Sequence, residues 1–133
     1  MPVSPKVKRH DLLYPELCYK IMGVLFDVSN VVGKGHKEHF YQKAISHGFK
    51  KAGIQFQEQP PVKTQYKGEL IGIYYFDFLV ENKVVLEIKV RNYFSKKDIE
   101  QLYSYLKAKR LQLGIIAHFT DAGVKFKRVV NIA

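Results

Sequence analysis

The spacing of apolar residues changes along the chain, and the changes divide it into elements. Between Pro15 and Gly33, in "PELCYKIMGVLFDVSNVVG", Leu17, Ile21, Val24, Leu25, Val28 and Val32 recur mostly three or four positions apart. That is the stripe of an amphipathic helix, with Pro15 suited to its first turn and Gly33 to its stop. A second helix is predicted from about His36 to Ala52, weakened at Gly48 and ended by Gly53. Strand-like patterns follow. "IQFQEQPPVKTQYKG" alternates poorly around Pro60-Pro61 and reads as an irregular or edge strand ending near Tyr66. "LIGIYYFDFLV" and "KVVLEIKV" read as the two strands of a hairpin about the polar tip Glu81-Asn82-Lys83. Ser95 opens a third helix, "SKKDIEQLYSYLKAKRL", in which Ser95 and Asp98 have capping-box spacing. "LGIIAHF" has the unbroken apolar character of a buried strand, and "VKFKRVV" alternates as a final edge strand. The predicted order α-α-β-β-β-α-β-β implies an α/β fold, a mixed β-sheet flanked by helices. It fits one domain over residues 11–133 behind a flexible basic tail at 1–10.

The hairpin raises a chemical question, because Asp77, Glu87 and Lys89 interrupt its apolar runs. A charge among Val, Ile, Leu and Phe costs free energy unless something pairs with it. Asp77 lies five positions before Asn82 and Glu87 five after it. A turn symmetric about Asn82 sets the two acids directly opposite, with Cβ atoms ~4.5–5.5 Å apart. Glu87 and Lys89, two apart, then share a face, and a register slip of one residue would undo the arrangement. Two adjacent carboxylates repel unless a cation joins them. Magnesium, a hard ion that takes oxygen ligands and keeps waters, is the natural candidate. Lys89 beside it could position water or stabilise charge on a phosphate. Taken alone, these three residues fit a cross-strand salt bridge more economically.

Charge widens the picture. Lys+Arg 22 against Asp+Glu 12 gives +10 over 133 residues, which favours a polyanionic partner; a merely soluble basic domain is the bland alternative. One cysteine, Cys18, excludes a disulfide framework, a zinc ribbon and a four-cysteine iron–sulfur cluster. No apolar run approaches the ~20 residues of a membrane span, and "MPVSPKVKRH" lacks a signal-peptide core. A cytoplasmic protein without a membrane partner is expected. On the third helix Lys97, Gln101 and Tyr105 form a polar stripe apart from the apolar Ile99, Leu102 and Leu106. Arg91, Lys96, Lys97, Lys107, Lys109 and Arg110 surround it, either as a grip on a phosphate backbone or as a solvated face. His36 and His39 flank Glu38 but make a weak metal signature. Cys18 reads as core, and His118 is given no role.

Asp77 followed by Glu87-Ile88-Lys89 has the D…ExK form that resembles the PD-(D/E)XK nuclease superfamily. Gly35-His36-Lys37-Glu38-His39-Phe40-Tyr41 is similar to the GxxExxY pattern that names one small-protein branch of it. Gln101-Leu102-Tyr103-Ser104-Tyr105 is similar to the QxxxY element of its exonuclease-like branches. The elements come in the family's order, and the similarity runs from about Tyr14 to Val130. Phe76 stands where the superfamily's name has proline, a position that contributes no ligand. The resemblance implies a restriction-endonuclease-like fold and assigns metal binding to Asp77 and Glu87, with the Ile88 carbonyl as a further ligand. It makes Lys89 the catalytic lysine and Glu38 the helix-borne acid that completes the site. Gln101 and Tyr105 would steady the site or touch phosphate, joined in nucleic-acid binding by Arg91, Lys96 and Lys97.

Two functions from different classes follow. One is a Mg²⁺-dependent phosphodiesterase that cleaves nucleic acid, DNA ahead of RNA, with Mn²⁺ able to substitute. The other is a non-catalytic basic nucleic-acid-binding module that keeps the nuclease fold. By analogy with small nucleases acting on duplexes, a homodimer is compatible with either.

Overall fold

The structure is a computed structural model that describes residues 13–132; the tail expected at 1–10 lies outside them. Helix α1 spans Pro15–Val32 and buries Cys18, Ile21, Leu25 and Val28. Its stop is Gly33, at φ 73°, a left-handed conformation that glycine adopts without a Cβ penalty. Helix α2 spans Glu38–Lys51, two residues shorter at its start than the sequence suggested. His36 stays outside it, stacked on Phe40 at 4.0 Å, with Nε2 2.7 Å from the Val32 carbonyl that ends α1.

The strand pattern departs from expectation in one informative way. Two segments read as single strands each break in two: β1 (Phe56–Glu58) and β2 (Pro61–Tyr66), then β3 (Glu69–Tyr75) and β4 (Phe78–Val80). The breaks face each other. Gln59 takes a left-handed φ of 50° before Pro60-Pro61, and opposite it the chain kinks at Phe76-Asp77. Proline removes ladder donors from one strand, so only Gln59 N–H to the Asp77 carbonyl (3.0 Å) and Phe76 N–H to the Pro60 carbonyl (3.2 Å) carry the ribbon through. Below the kink β1 and β4 belong to the main sheet. Above it β2 and β3 form a separate two-stranded ribbon.

The main sheet is completed by β5 (Val84–Lys89), β6 (Leu113–Thr120) and β7 (Gly123–Val130), in the order β1-β4-β5-β6-β7. Only β5 and β6 pair in parallel, joined through α3 (Lys96–Lys109). Every residue of β6 and all of β5 but Lys89 are buried, as strands covered on both faces require. One face packs Phe78, Leu86, Ile88 and Ile115 against α1 and α2; the other packs Phe76, Val85 and Ile116 against Leu102 and Leu106 of α3. At ~1.5–3 kcal/mol per buried large apolar side chain, these two layers hold the sheet in place. Gly114 lets α3 approach, since a Cβ there would lie 2.7 Å from Leu102 Cδ2. The capping box does not form: Ser95 makes no side-chain cap, and Asp98 instead meets Arg91, Nη1 to Oδ2 at 3.1 Å. Among the described residues, no helix is long and apolar enough to cross a membrane.

Candidate active site

The β4–β5 loop is Glu81-Asn82-Lys83, with Val80 paired to Val84 and Phe78 to Leu86. Glu81 and Asn82 take left-handed φ values of 53° and 58° to close it, a conformation asparagine tolerates better than most residues. The register extends to Asp77 opposite Glu87, but the kink has removed Asp77 from the ladder. Its side chain takes over part of the pairing: Ile88 N–H donates to Asp77 Oδ2 at 2.6 Å, and Asp77 N–H donates to Glu87 Oε1 at 2.8 Å. Glu87 thus holds the backbone of Asp77, and Asp77 holds that of Ile88, the residue after Glu87. In an antiparallel strand a residue's N–H and C=O leave on the same edge, so the Ile88 carbonyl opens toward Asp77 as well.

Two further residues complete the cradle. Gln42 of α2 donates Nε2–H to Asp77 Oδ1 at 2.6 Å. Tyr74, at the end of β3, donates its hydroxyl to Glu87 Oε2. Neither was singled out in the sequence. Gln42 was findable as the residue four after Glu38, on the same helix face. Tyr74 was hidden in an aromatic run that read as strand packing.

The electrostatics are those of charge held away from water. Burial first, then the Asp77 carboxylate, pushes Glu87 up to about 7; the bonds from Tyr74 and the Asp77 backbone oppose the rise. Burial likewise pushes Asp77 up to about 6, with Glu38 adding to the rise and the Ile88 N–H opposing it. The Tyr74 hydroxyl is pushed well above its ordinary range by burial and by Glu87, so it remains a donor. Glu38, in the first turn of α2, is raised by burial and drawn back by Lys89 and Arg91. Glu38, Asp77, Glu87 and Lys89 therefore share one electrostatic environment. Among the described residues Lys89 forms no ion pair with either hairpin acid, so the economical salt-bridge reading fails.

Oxygen donors suit a hard cation. Each carboxylate oxygen of Asp77 and Glu87 accepts one hydrogen bond and has a second lone pair to offer. Among the described residues, however, no three His, Cys, Asp or Glu side chains gather closely enough to hold an ion. The protein would contribute the two acids and the Ile88 carbonyl, leaving the remaining positions to water and substrate.

The α3 stripe splits. Gln101, Lys96 and Lys97 stand exposed, and no described hydrogen bond or ion pair ties them to the acids. Tyr105 does not belong to a dispensable polar face: it stacks on Tyr74 at 4.2 Å and meets Phe76 edge-on at 5.7 Å. It braces the hydroxyl that holds Glu87. Arg91 is engaged by Asp98. His118 pairs in register with Lys89, is 1% exposed, lies 3.9 Å from the Phe94 ring, and has no hydrogen-bond partner at either nitrogen. Burial, then Arg91, lowers its pKa to about 4, so it is neutral at physiological pH. In the GxxExxY stretch, Gly35 takes φ 90° and Tyr41 is buried with its hydroxyl on the Gly33 carbonyl at 2.7 Å. Those two shape the turn, while Glu38 feels the charges of Lys89 and Arg91.

The sequence matches a family described as the PD-(D/E)XK nuclease superfamily over residues 15–129. No curated protein matches it in sequence. Among solved structures, an alkaline exonuclease from Laribacter hongkongensis is similar at TM-score 0.52 and 12% identity, covering 97% of this chain and 72% of that one. The protein SSO0001 is similar at TM-score 0.51 and 17% identity over 96% of this chain. The chain spans 62% of the length of SSO0001. At such identities the likeness is one of fold.

Proposed function

We propose, from the premise that the chain belongs to the PD-(D/E)XK nuclease superfamily, that it hydrolyses phosphodiester bonds of nucleic acid, DNA ahead of RNA, with a divalent metal. Within the superfamily we place it in the GxxExxY branch, on Gly35, Glu38 and Tyr41. The observation that carries the reading is the acid pair, buried Glu87 beside half-buried Asp77, tied together through the Asp77 and Ile88 N–H groups and, among the described residues, joined by no ion pair to a lysine or arginine. Mg²⁺, or Mn²⁺ in its place, held by Asp77, Glu87 and the Ile88 carbonyl, would supply Lewis-acid polarisation of the phosphate and an acidified water. Gln42 and Tyr74 fix the carboxylate planes, so the acids need not reorient during reaction. Lys89 places its ammonium where charge develops on the phosphate. Glu38 is the third acid, positioned to orient water.

The second reading is a binding module without catalysis, which the net charge of +10 and the exposed Lys96 and Lys97 support equally. A single panel separates them. The protein is incubated with single-stranded, duplex and branched DNA and with RNA, in Mg²⁺, Mn²⁺ or EDTA. Metal-dependent cleavage abolished by Asp77→Asn supports the nuclease. Salt-sensitive binding with no cleavage in any arm supports the module.

A further inference from the structure

The β2–β3 ribbon projects beyond the main sheet and turns apolar side chains to solvent. Across it Ile73 pairs with Lys63 and Tyr75 with Pro61; these four share the open face, while Val62 and Tyr74 occupy the other and pack toward α3. Ile73 is 44% exposed and Tyr75 54%. Nearer the tip, Ile71 is the unpaired residue of a bulge, and Tyr66 and Leu70 are exposed with it. Lys67 sits over the Tyr66 ring at 5.3 Å. Together they make a small apolar strip along the ribbon, flanked by lysines.

Its place in the chain says what would cover it. Tyr75 is two residues from Asp77, and the hydrogen bonds at Gln59 and Phe76 fix the ribbon to the acid pair as one continuous piece. A polymer with a phosphate at Asp77 and Glu87 would pass the base of this arm. Aromatic faces stack on unpaired bases of any sequence, aliphatic side chains wedge between bases, and Lys63 and Lys67 match the phosphates between them. A second copy fits less well. At ~3.3 Å per residue the strands are about 20 Å long, so the ribbon's open footprint is on the order of 200 Å², against the roughly 800 Å² per partner of a stable interface.

We infer that the β2–β3 ribbon is a stacking arm for unpaired bases, and that the substrate class is nucleic acid with a single-stranded segment next to the scissile phosphate. The inference rests on the nuclease reading for the placing of the phosphate, but its test does not need cleavage. Fluorescence anisotropy in EDTA compares a labelled single strand with the blunt duplex of the same sequence. The wild type should prefer the single strand. Tyr75→Ala and Ile73→Ser should each weaken single-strand binding about tenfold, within the worth of one stacked base, and leave duplex binding unchanged. Should Tyr75→Ala unfold, Tyr75→Phe and Tyr75→Leu replace it: the ring restores binding and the aliphatic does not. Unchanged single-strand affinity in folded variants overturns the inference, as does equal loss on duplex. A dimer by light scattering that Ile73→Ser dissociates, with affinity unchanged, assigns the face to a second copy and overturns it too. Cleavage by a wild type whose ribbon variants bind normally sinks the arm and spares the nuclease; the reverse pattern spares the arm.

Discussion

Replacing Glu87 by glutamine removes one charge from the acid pair and keeps its shape. Glutamine can still accept the Asp77 N–H through Oε1 and can donate its amide to the Tyr74 oxygen. What disappears is a buried charge beside another. In the metal-free protein both acids have pKa values raised above the unfolded range. Raised acids stabilise the fold while protonated, below about pH 4, and that stability is lost as pH climbs through about 6 to 7. For Glu87 the rise from 4.5 to about 7 corresponds, at 1.36 kcal/mol per unit, to roughly 3 kcal/mol at most. At a few degrees per kcal/mol for a chain of this size, that is up to ~10 °C in Tm. Melting curves are recorded near pH 5 and pH 8, in EDTA and in excess Mg²⁺. The wild type should melt lower at the higher pH in EDTA and recover with Mg²⁺ there. Glu87→Gln should flatten the pH dependence, melt higher than wild type in EDTA at the higher pH, and respond little to Mg²⁺. A variant that melts lower there, yet still gains from Mg²⁺, would refute the uncompensated acid pair.

Lys89→Ala should leave the Mg²⁺-induced rise in Tm intact while slowing cleavage by about 10²–10³-fold, the usual worth of one group facing developing charge. Tyr74→Phe deletes a donor that holds down the Glu87 pKa, so the midpoint of the stability loss should move to higher pH, read from the same melts, beside a pH-independent cost of ~1–3 kcal/mol. Gly114→Ala drives a methyl into Leu102 and should destabilise the protein by ~1–3 kcal/mol in denaturant unfolding, since α3 must lift from the sheet. The His118 ring, followed by NMR, should titrate near 4; a midpoint at its ordinary value near 6.5 would mean that the Phe94 side of the site is open to water.

Much of this was legible in the sequence because periodicity reports burial. The three helices, the fully buried β6 and the three-residue hairpin loop follow from which positions had to face the core. What escaped was the kink. Pro60-Pro61 marked one strand as irregular, but nothing in "LIGIYYFDFLV" tells that its partner bends at Phe76-Asp77 to match. The bend divides one hairpin into sheet and arm, and it turns Asp77 from a ladder residue into a side-chain acceptor for Ile88. The carboxylates' supports escaped for a related reason. Gln42 and Tyr74 come from elements 35 and 13 residues away from the acids they hold, and such pairings depend on how layers stack. For Tyr105 the sequence offered a steadying role but not the partner; the Tyr74 ring it stacks on is set by the ribbon's path.

The central claim is that the interlocked acids are a cation site for phosphodiester cleavage. It is tested most directly by titrating Mg²⁺ or Mn²⁺ into wild type and Asp77→Asn while following cleavage of labelled DNA and RNA. Wild type should give saturable, metal-dependent cleavage, and Asp77→Asn none, even though that variant binds the same nucleic acid at least as well. Wild type that cuts nothing with either metal, or Asp77→Asn that cuts as wild type does, would contradict it.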